Sequence, residues 1–358
     1  MKRSATLKEH LEAGLRRLMQ AAVIGGLVVA AFLPLRSEAQ EKVLNLYSAR
    51  HYQTDEALYA GFAKQTGIKI NRIELGDEQL LQRLRTEGAA SPADVVLLVD
   101  AARLWRAQIE GLFQPVESKI LSERIPANLR SNDGSWYGFS SRARVIVYDK
   151  ARVRPEDVDT YEELADPKNK GRVCTRSGSH PYMLSLIGSL VERLGEAKTE
   201  EWARGMVANM ARPPRGGDTD QIKGVAAGEC GVALTNSYYW LRLVRSQDPK
   251  DKDVVAKVGF VWPNQATTGT HMNISGGGVA KNAPHKENAI AFLEYLTSPQ
   301  AQAYFADGNN EWPVVKGAVT NNAALAALGT PKMENVPIST IGKNQIAAQR
   351  ILDRVGYR

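Results

Sequence analysis

The sequence predicts an α/β protein of two lobes, each a doubly wound sheet, joined by two crossover strands that act as a hinge. Three observations predict this fold. The length of 358 residues is more than one ordinary core requires. Strand and helix patterns alternate over residues 43–111, and the alternation resumes after residue 161. Between them, residues 136–148 have two strand patterns without an intervening helix.

The first 39 residues are predicted to be a secretory signal peptide. A basic segment precedes the apolar residues 21–35, and Ser37-Glu38-Ala39 supplies the small residues of a cleavage site before Gln40. The apolar stretch is shorter than the roughly 20 residues of a membrane-spanning helix. An uncleaved N-terminal anchor is the alternative.

The first lobe is predicted to comprise residues 40–140 together with residues 265–314. The continuous apolar run at residues 93–99 is typical of a parallel strand covered on both faces. Strands are predicted over residues 43–47, 68–75 and 93–99, and helices over residues 54–65, 77–87, 101–111, 288–296 and 299–305. Residues 309–314 are predicted to be a loop that returns to the other lobe.

The second lobe is predicted to comprise residues 141–264 together with residues 315–358. Its strands are predicted at residues 172–176 and 230–235, and its helices from residue 161 and over residues 182–194, 201–210 and 220–228. The first crossover between the lobes is predicted at residues 136–139 and 144–148, and the second at residues 258–263, which lead into residues 271–275. The glycines at 276–278 are interpreted as a strand-edge or hinge feature, because the sequence after them does not match a phosphate loop.

Charge and cysteine content exclude some function classes. The formal net charge of +7 includes +3 from residues 1–39, and the remaining +4 is mild. No basic run with interleaved aromatic residues indicates nucleic-acid binding. Cys174 and Cys230 are the two cysteines of a chain predicted to be exported, which is compatible with one disulfide or with two buried free thiols.

Four of the twelve tyrosines lie where strand patterns pass into helix patterns. Tyr52 follows the first strand, Tyr182 begins a helix, and Tyr238-Tyr239 follow the strand at residues 230–235. Because ligands of α/β sheets bind at the carboxyl ends of strands, a cleft between the lobes would gather these four phenols. Phenolate oxygen suits a hard, highly charged ion such as Fe³⁺. Packing is the alternative reading of each tyrosine taken alone.

Nearby basic residues fit this interpretation. Four phenolates around Fe³⁺ leave one net negative charge, which Arg142 and Arg242 are placed to offset. His51, beside Tyr52, is a candidate ligand or hydrogen-bond partner of the metal site. Alone, each arginine would be read as a surface ion-pair partner and His51 as a turn residue.

Two other functions are compatible with parts of the sequence. A binding protein for thiamine, a polyamine or a phosphorylated sugar would use the tyrosines to stack on its ligand. A secreted hydrolase would use the serine and histidine of Ser177-Gly178-Ser179-His180, but no nucleophile motif surrounds them.

The chain resembles the periplasmic ferric-ion-binding proteins of iron ABC transporters. The resemblance covers the chain after residue 39 and is carried by residues 46–55, 93–96, 142–148, 228–239, 292–302 and 308–314. The turn containing Arg50-His51-Tyr52 and the tyrosine pair are its iron-specific parts. One departure is Trp312, where many relatives have tyrosine.

The resemblance implies a fold, a cargo and partners. The fold would be that of a type II-like periplasmic binding protein without enzymatic activity, a monomer that delivers iron to an inner-membrane permease and its ATPase. Fe³⁺ would bind to Tyr52, Tyr182, Tyr238 and Tyr239, near His51, Arg142 and Arg242. Carbonate or another anion is left open as a co-ligand. The resemblance also favours a disulfide between Cys174 and Cys230.

Overall fold

Strands and helices alternate along the chain much as the sequence predicts. The computed structural model describes residues 42–50, 52 and 55–358, so the predicted signal peptide and His51 lie outside the described residues. Within the described part, no helix has the length and apolar character needed to cross a membrane. The strands are β1 (Val43–Ser48), β2 (Lys69–Glu74), β3 (Val95–Leu98), β4 (Phe113–Gln114), β5 (Tyr137–Asp149), β6 (Val173–Cys174), β7 (Val232–Asn236), β8 (Val258–Val261), β9 (Met272–Ala280) and β10 (Trp312–Pro313).

The α-helices cover the sheet and fill the C-terminal part of the chain. They are α1 (Asp55–Thr66), α2 (Asp77–Glu87), α3 (Ala101–Ile109), α4 (Lys119–Arg124), α5 (Pro181–Leu194), α6 (Glu196–Ala208), α7 (Asp218–Ala226), α8 (Ser237–Arg245), α9 (Pro249–Lys257), α10 (Lys286–Leu296), α11 (Pro299–Asn309), α12 (Ala323–Ala327), α13 (Ile338–Lys343) and α14 (Gln345–Val355).

One long strand connects the two parts of the sheet. The strand order is β2-β1-β3-β9-β5-β7-β6, and β1 is parallel to both β2 and β3. The first part of β5 pairs with β9 and β10, whereas its second part pairs with β7 and β8. The prediction of two separate strands at residues 136–148 is therefore wrong. The polar residues between them stay in the strand because their side chains have buried partners: Ser140 donates to Glu311 and Arg142 donates to Ser275.

The three consecutive glycines lie in the middle of β9, between β3 and β5. A Cβ atom on Gly276 would lie 2.4 Å from the carbonyl oxygen of Tyr137, and one on Gly278 would lie 2.2 Å from that of Ser135. The neighbouring backbone thus leaves no room for a side chain. The interpretation of these glycines as a strand-edge feature is wrong.

Two other elements are shorter than predicted. The helix expected from residue 161 is a single 3₁₀ turn, Glu162–Ala165, because Pro167 follows closely and lacks the amide that a helix needs. The strand expected at residues 172–176 has only Val173–Cys174. Conversely, the predicted loop at 309–314 contains β10, which pairs with β5.

Separate hydrophobic cores support two lobes. One core packs β1 and β3 against α1 and α10, with Phe62 and Phe292 at its centre. Another packs α5, α6 and β7 around Met183 and Trp202. The C-terminal helices contact both sides, since Ile341 of α13 joins a first-lobe core whereas α14 packs on the second. The exact residue boundaries of the lobes stay a prediction.

A disulfide and a buried ion pair connect separate segments of the structure. Cys174 and Cys230 form a disulfide with their Cα atoms 5.8 Å apart, next to the parallel pair β6 and β7. The carboxylate of Glu334 pairs with the imidazole of His271 and accepts a hydrogen bond from Ser189 at 2.5 Å. Burial opposes the ionisation of Glu334, but the charge of His271 and these hydrogen bonds hold its pKa below the usual range.

Candidate metal centre

The four predicted tyrosines all lie at the starts of helices or in the turn before one. Tyr52 precedes α1, and its carbonyl accepts the amide hydrogen bond of Asp55 at 2.8 Å. Tyr182 is the second residue of α5, and Tyr238 and Tyr239 are the second and third residues of α8. A helix N-terminus carries partial positive charge, which favours an anionic side chain. The first turns of α5 and α8 therefore offer partial positive charge near these tyrosines.

Three of the phenol groups meet directly. The hydroxyl of Tyr238 lies 2.9 Å from that of Tyr182 and 3.4 Å from that of Tyr52. The ring of Tyr239 packs on Tyr238 with centroids 4.3 Å apart. Tyr238 is fully buried and Tyr182 is 5% exposed. Residues separated by 186 positions in the chain thus converge on one oxygen-rich centre.

Burial favours the neutral form of the phenols of Tyr52, Tyr182 and Tyr238. It raises the pKa of Tyr52 to about 12, with the nearby Glu311 adding to the effect. Burial, followed by repulsion among the neighbouring phenolates, raises the pKa of Tyr182 and of Tyr238 well above the usual value. A bound cation reverses such shifts, because it favours the deprotonated form of its ligands. The centre is therefore suited to a strongly charged cation that displaces protons.

Arg142 and Arg242 both lie against the phenol rings. The guanidinium carbon of Arg242 is 5.0 Å from the ring centre of Tyr52, and 5.2 Å from those of Tyr238 and Tyr239. The guanidinium carbon of Arg142 is 5.6 Å from the Tyr182 ring, and its Nε and Nη2 have no hydrogen-bond partner among the described atoms. These distances allow both groups to stabilise negative charge on the phenols.

The sequence interpretation missed a buried network beside Tyr52. Arg50 donates to the two carboxylate oxygens of Asp55 at 2.8 and 3.1 Å and to Glu311 at 3.3 Å. Its guanidinium carbon lies 5.1 Å from the Tyr52 ring. Asn309 donates a hydrogen bond to Glu311 at 2.8 Å and accepts one from Arg242 at 2.9 Å, so this network connects Arg50 with Arg242.

Arg176 was also missed. Its guanidinium carbon is 5.0 Å from the Tyr182 ring, closer than that of Arg142. Its position at the end of the strand predicted over residues 172–176 was a usable signal, because cleft residues follow strand ends.

Other ligand chemistries find less support around the cleft. In the described residues, no cluster of three or more His, Cys, Asp or Glu side chains is arranged to hold a metal ion. The structure also does not favour a hydrolase at residues 177–180. The Nδ1 atom of His180 accepts the amide of Tyr182, while the hydroxyls of Ser177 and Ser179 lie 2.9 Å from each other.

Comparison with known proteins places the chain in a class. Residues 57–330 match the family model described as bacterial extracellular solute-binding protein. "Iron uptake protein A2" of Synechocystis is 50% identical over 333 residues, which cover 92% of this chain and 94% of that protein. The chain therefore belongs to the bacterial extracellular solute-binding proteins, in a group with iron uptake proteins.

Solved structures agree with this placement and with the two-lobe fold. A Trichodesmium protein described as "(IdiA) (FutA) in complex with iron and citrate ligands" has a TM-score of 0.84 and 53% identity, covering 88% of this chain and all of that one. The "Ferric binding protein from Campylobacter jejuni" has a TM-score of 0.85 and 38% identity, with the same coverage.

Proposed function

We propose that this protein captures ferric iron between its two lobes and hands it to an ABC transporter. The iron would be bound by the phenolates of Tyr52, Tyr182, Tyr238 and Tyr239. The observation that carries the proposal is the contact of three phenol hydroxyls, those of the buried Tyr182 and Tyr238 and of the half-buried Tyr52, which come from three separate segments of the chain. Packing alone would not require these hydroxyls, because burying a polar group costs free energy unless a partner compensates it.

The surrounding charges support a trivalent cation bound by phenolates. Four phenolates exceed the charge of Fe³⁺ by one, and Arg142 and Arg242 lie within 6 Å of the rings. His51 is proposed as a further ligand or as a hydrogen-bond partner next to Tyr52. The Nε and Nη2 atoms of Arg142 have no hydrogen-bond partner among the described atoms, although Nη2 lies 3.9 Å from Oδ2 of Asp100, and they offer a place for carbonate or another small anion. A ferric titration with and without bicarbonate tests whether such an anion contributes.

The proposed lobes are residues 40–140 with 265–314 and residues 141–264 with 315–358. Tyr52 then comes from the first lobe and the other three tyrosines from the second. Capture would close the lobes about β5 and β8, which is the usual motion of proteins with this architecture. Opening would separate Tyr52 from Tyr238 and so lower the affinity for iron.

The remaining biology follows from the family. We propose that residues 1–39 direct export and are removed, so that the protein works in the periplasm as a monomer. Its partners would be an inner-membrane permease and the associated ATPase, and it would have no catalytic activity of its own. The alternative of thiamine, a polyamine or a phosphorylated sugar as ligand is not favoured, since the relatives described above are named for iron.

Ferric titration of the purified protein tests the proposal. Addition of Fe³⁺ should produce a phenolate-to-iron charge-transfer band in the visible region, with one iron bound per chain. A protein that stays colourless and takes up no iron contradicts the proposal. Calorimetry with thiamine, spermidine and fructose 6-phosphate should give no heat of binding; binding of any of them would favour the organic-ligand alternative.

A further inference from the structure

We infer that Arg176, held in place by Asp218, positions Tyr182 for iron and supplies the positive charge that its phenolate requires. This inference rests on the proposed function, since it assigns a role within the same centre. It concerns a buried ion pair that lies next to the ring of Tyr182.

Arg176 combines a ring contact with a buried ion pair. Its guanidinium carbon lies 5.0 Å from the ring centre of Tyr182, and its Nη1 donates to Oδ1 of Asp218 at 3.2 Å. The Arg176 side chain is 14% exposed and that of Asp218 is fully buried. Water therefore screens the charge of Arg176 only weakly, and a desolvated guanidinium over an aromatic face interacts strongly with it.

Asp218 collects hydrogen bonds from three parts of the second lobe. Its Oδ2 accepts from Nη1 of Arg144 at 2.6 Å and from the amide of Asn236 at 2.7 Å, while its Oδ1 accepts from Arg176. Asn236 is the residue directly before α8, whose first turn carries Tyr238 and Tyr239. Asp218 thereby fixes the start of α8 and, through Arg176, the side chain of Tyr182.

Asp218 does not balance the charges of the two arginines that it pairs with. One carboxylate faces two guanidinium groups, which leaves a net charge of +1 next to Tyr182. Arg144 makes the shorter contact with Asp218, so the carboxylate would remain paired if Arg176 were absent. The Nε of Arg176 is buried and has no hydrogen-bond partner among the described atoms. Pairing with Asp218 alone therefore does not account for Arg176, whereas an adjacent phenolate does.

Substitution of Arg176 separates charge from packing. Arg176→Met should lower the apparent ferric affinity roughly tenfold or more, because one positive charge beside a desolvated phenolate is lost. The charge-transfer band should move to longer wavelength, since an uncompensated phenolate gives up its electron more easily. Arg176→Lys restores the charge and should recover much of the affinity and the band position. Arg176→Gln, which keeps a hydrogen-bond donor for Asp218, is the second neutral variant if the Met variant folds poorly.

Arg72 offers a matched control. Its guanidinium carbon also lies 5.0 Å from a tyrosine ring, that of Tyr59, which is outside the candidate centre. Arg72→Met should leave ferric affinity and the visible band unchanged. Ferric affinity would be measured by competition with a chelator, and folding of each metal-free variant by thermal denaturation.

The outcomes distinguish this inference from the proposed function. If wild-type protein forms the coloured ferric complex but both neutral variants match it in affinity and spectrum, the role of Arg176 is refuted. If the Lys variant is no better than the Met variant, the charge is not what matters and the inference also fails. If wild-type protein binds no iron, the proposed function itself is wrong.

Discussion

Tyr238 is the phenol on which the centre depends most, because its hydroxyl contacts both Tyr182 and Tyr52. Tyr238→Phe removes this oxygen and leaves the ring, which is fully buried, with its packing intact. The variant should fold normally, lose most of its ferric affinity and bind any remaining iron with a weaker visible band.

Tyr238→Phe should reduce both the unfolding free energy and the ferric affinity, for separate reasons. Without metal, the variant loses one hydrogen bond of 2.9 Å and a longer one of 3.4 Å, which should cost about 1–2 kcal/mol of unfolding free energy. With ferric iron, a direct ligand is missing. The loss of affinity should exceed the roughly 10–100-fold that removing a partner behind a metal ligand costs.

Chelator competition and denaturation of the metal-free protein measure these two losses. Tyr137→Phe is the matched control, because Tyr137 is 2% exposed and donates one hydrogen bond, to the carbonyl of Val116 at 2.8 Å. It should lose a similar amount of stability and no ferric affinity. Wild-type affinity in Tyr238→Phe, or an equal loss of affinity in Tyr137→Phe, would refute the reasoning.

Three further predictions concern stability. Because the pKa of Glu334 is lowered in the folded protein, its ionised form stabilises the folded state above about pH 4.3, and this stabilisation is lost as the pH falls. Glu334→Gln should therefore make the unfolding free energy depend less on pH in the acid range, as measured by denaturant unfolding at several pH values. Replacing Cys174 and Cys230 together by alanine should cost about 4 kcal/mol in denaturant unfolding, as expected for a crosslink that spans 56 positions, and an unchanged midpoint would contradict this. Gly342→Ala places a Cβ atom 2.3 Å from the Cβ atom of Trp105, so the variant should lose about 1–3 kcal/mol of unfolding free energy and melt at a lower temperature. An unchanged melting temperature would contradict this and would show that α13 can move away from Trp105.

Much of the site was predictable because strand ends mark the ligand-facing edge of an α/β sheet. Tyr52, Tyr182 and Tyr238 were chosen on that ground, and the structure brings their hydroxyls together. Arg242 was chosen for its nearness to the tyrosine pair in sequence, and it does contact three of the rings. Their role as iron ligands or charge partners stays a prediction.

The parts that sequence reasoning missed depend on contacts between distant segments. Asp218 pairs with Arg144 across 74 positions, and Glu311 with Arg50 across 261, so no local pattern identifies these pairs. The glycines of β9 were misread for the same reason, since it is the carbonyl groups of neighbouring segments that exclude a side chain. The polar residues within β5 were likewise misread as a break between two strands, because the partners that allow their burial lie elsewhere in the chain.

An anomalous difference map at the iron absorption edge tests the central claim most directly. Crystals of the ferric-loaded protein should have one strong peak per chain, within bonding distance of the phenolic oxygens of Tyr52, Tyr182, Tyr238 and Tyr239. A peak elsewhere, or an iron bound without Tyr238 and Tyr182, would contradict the account.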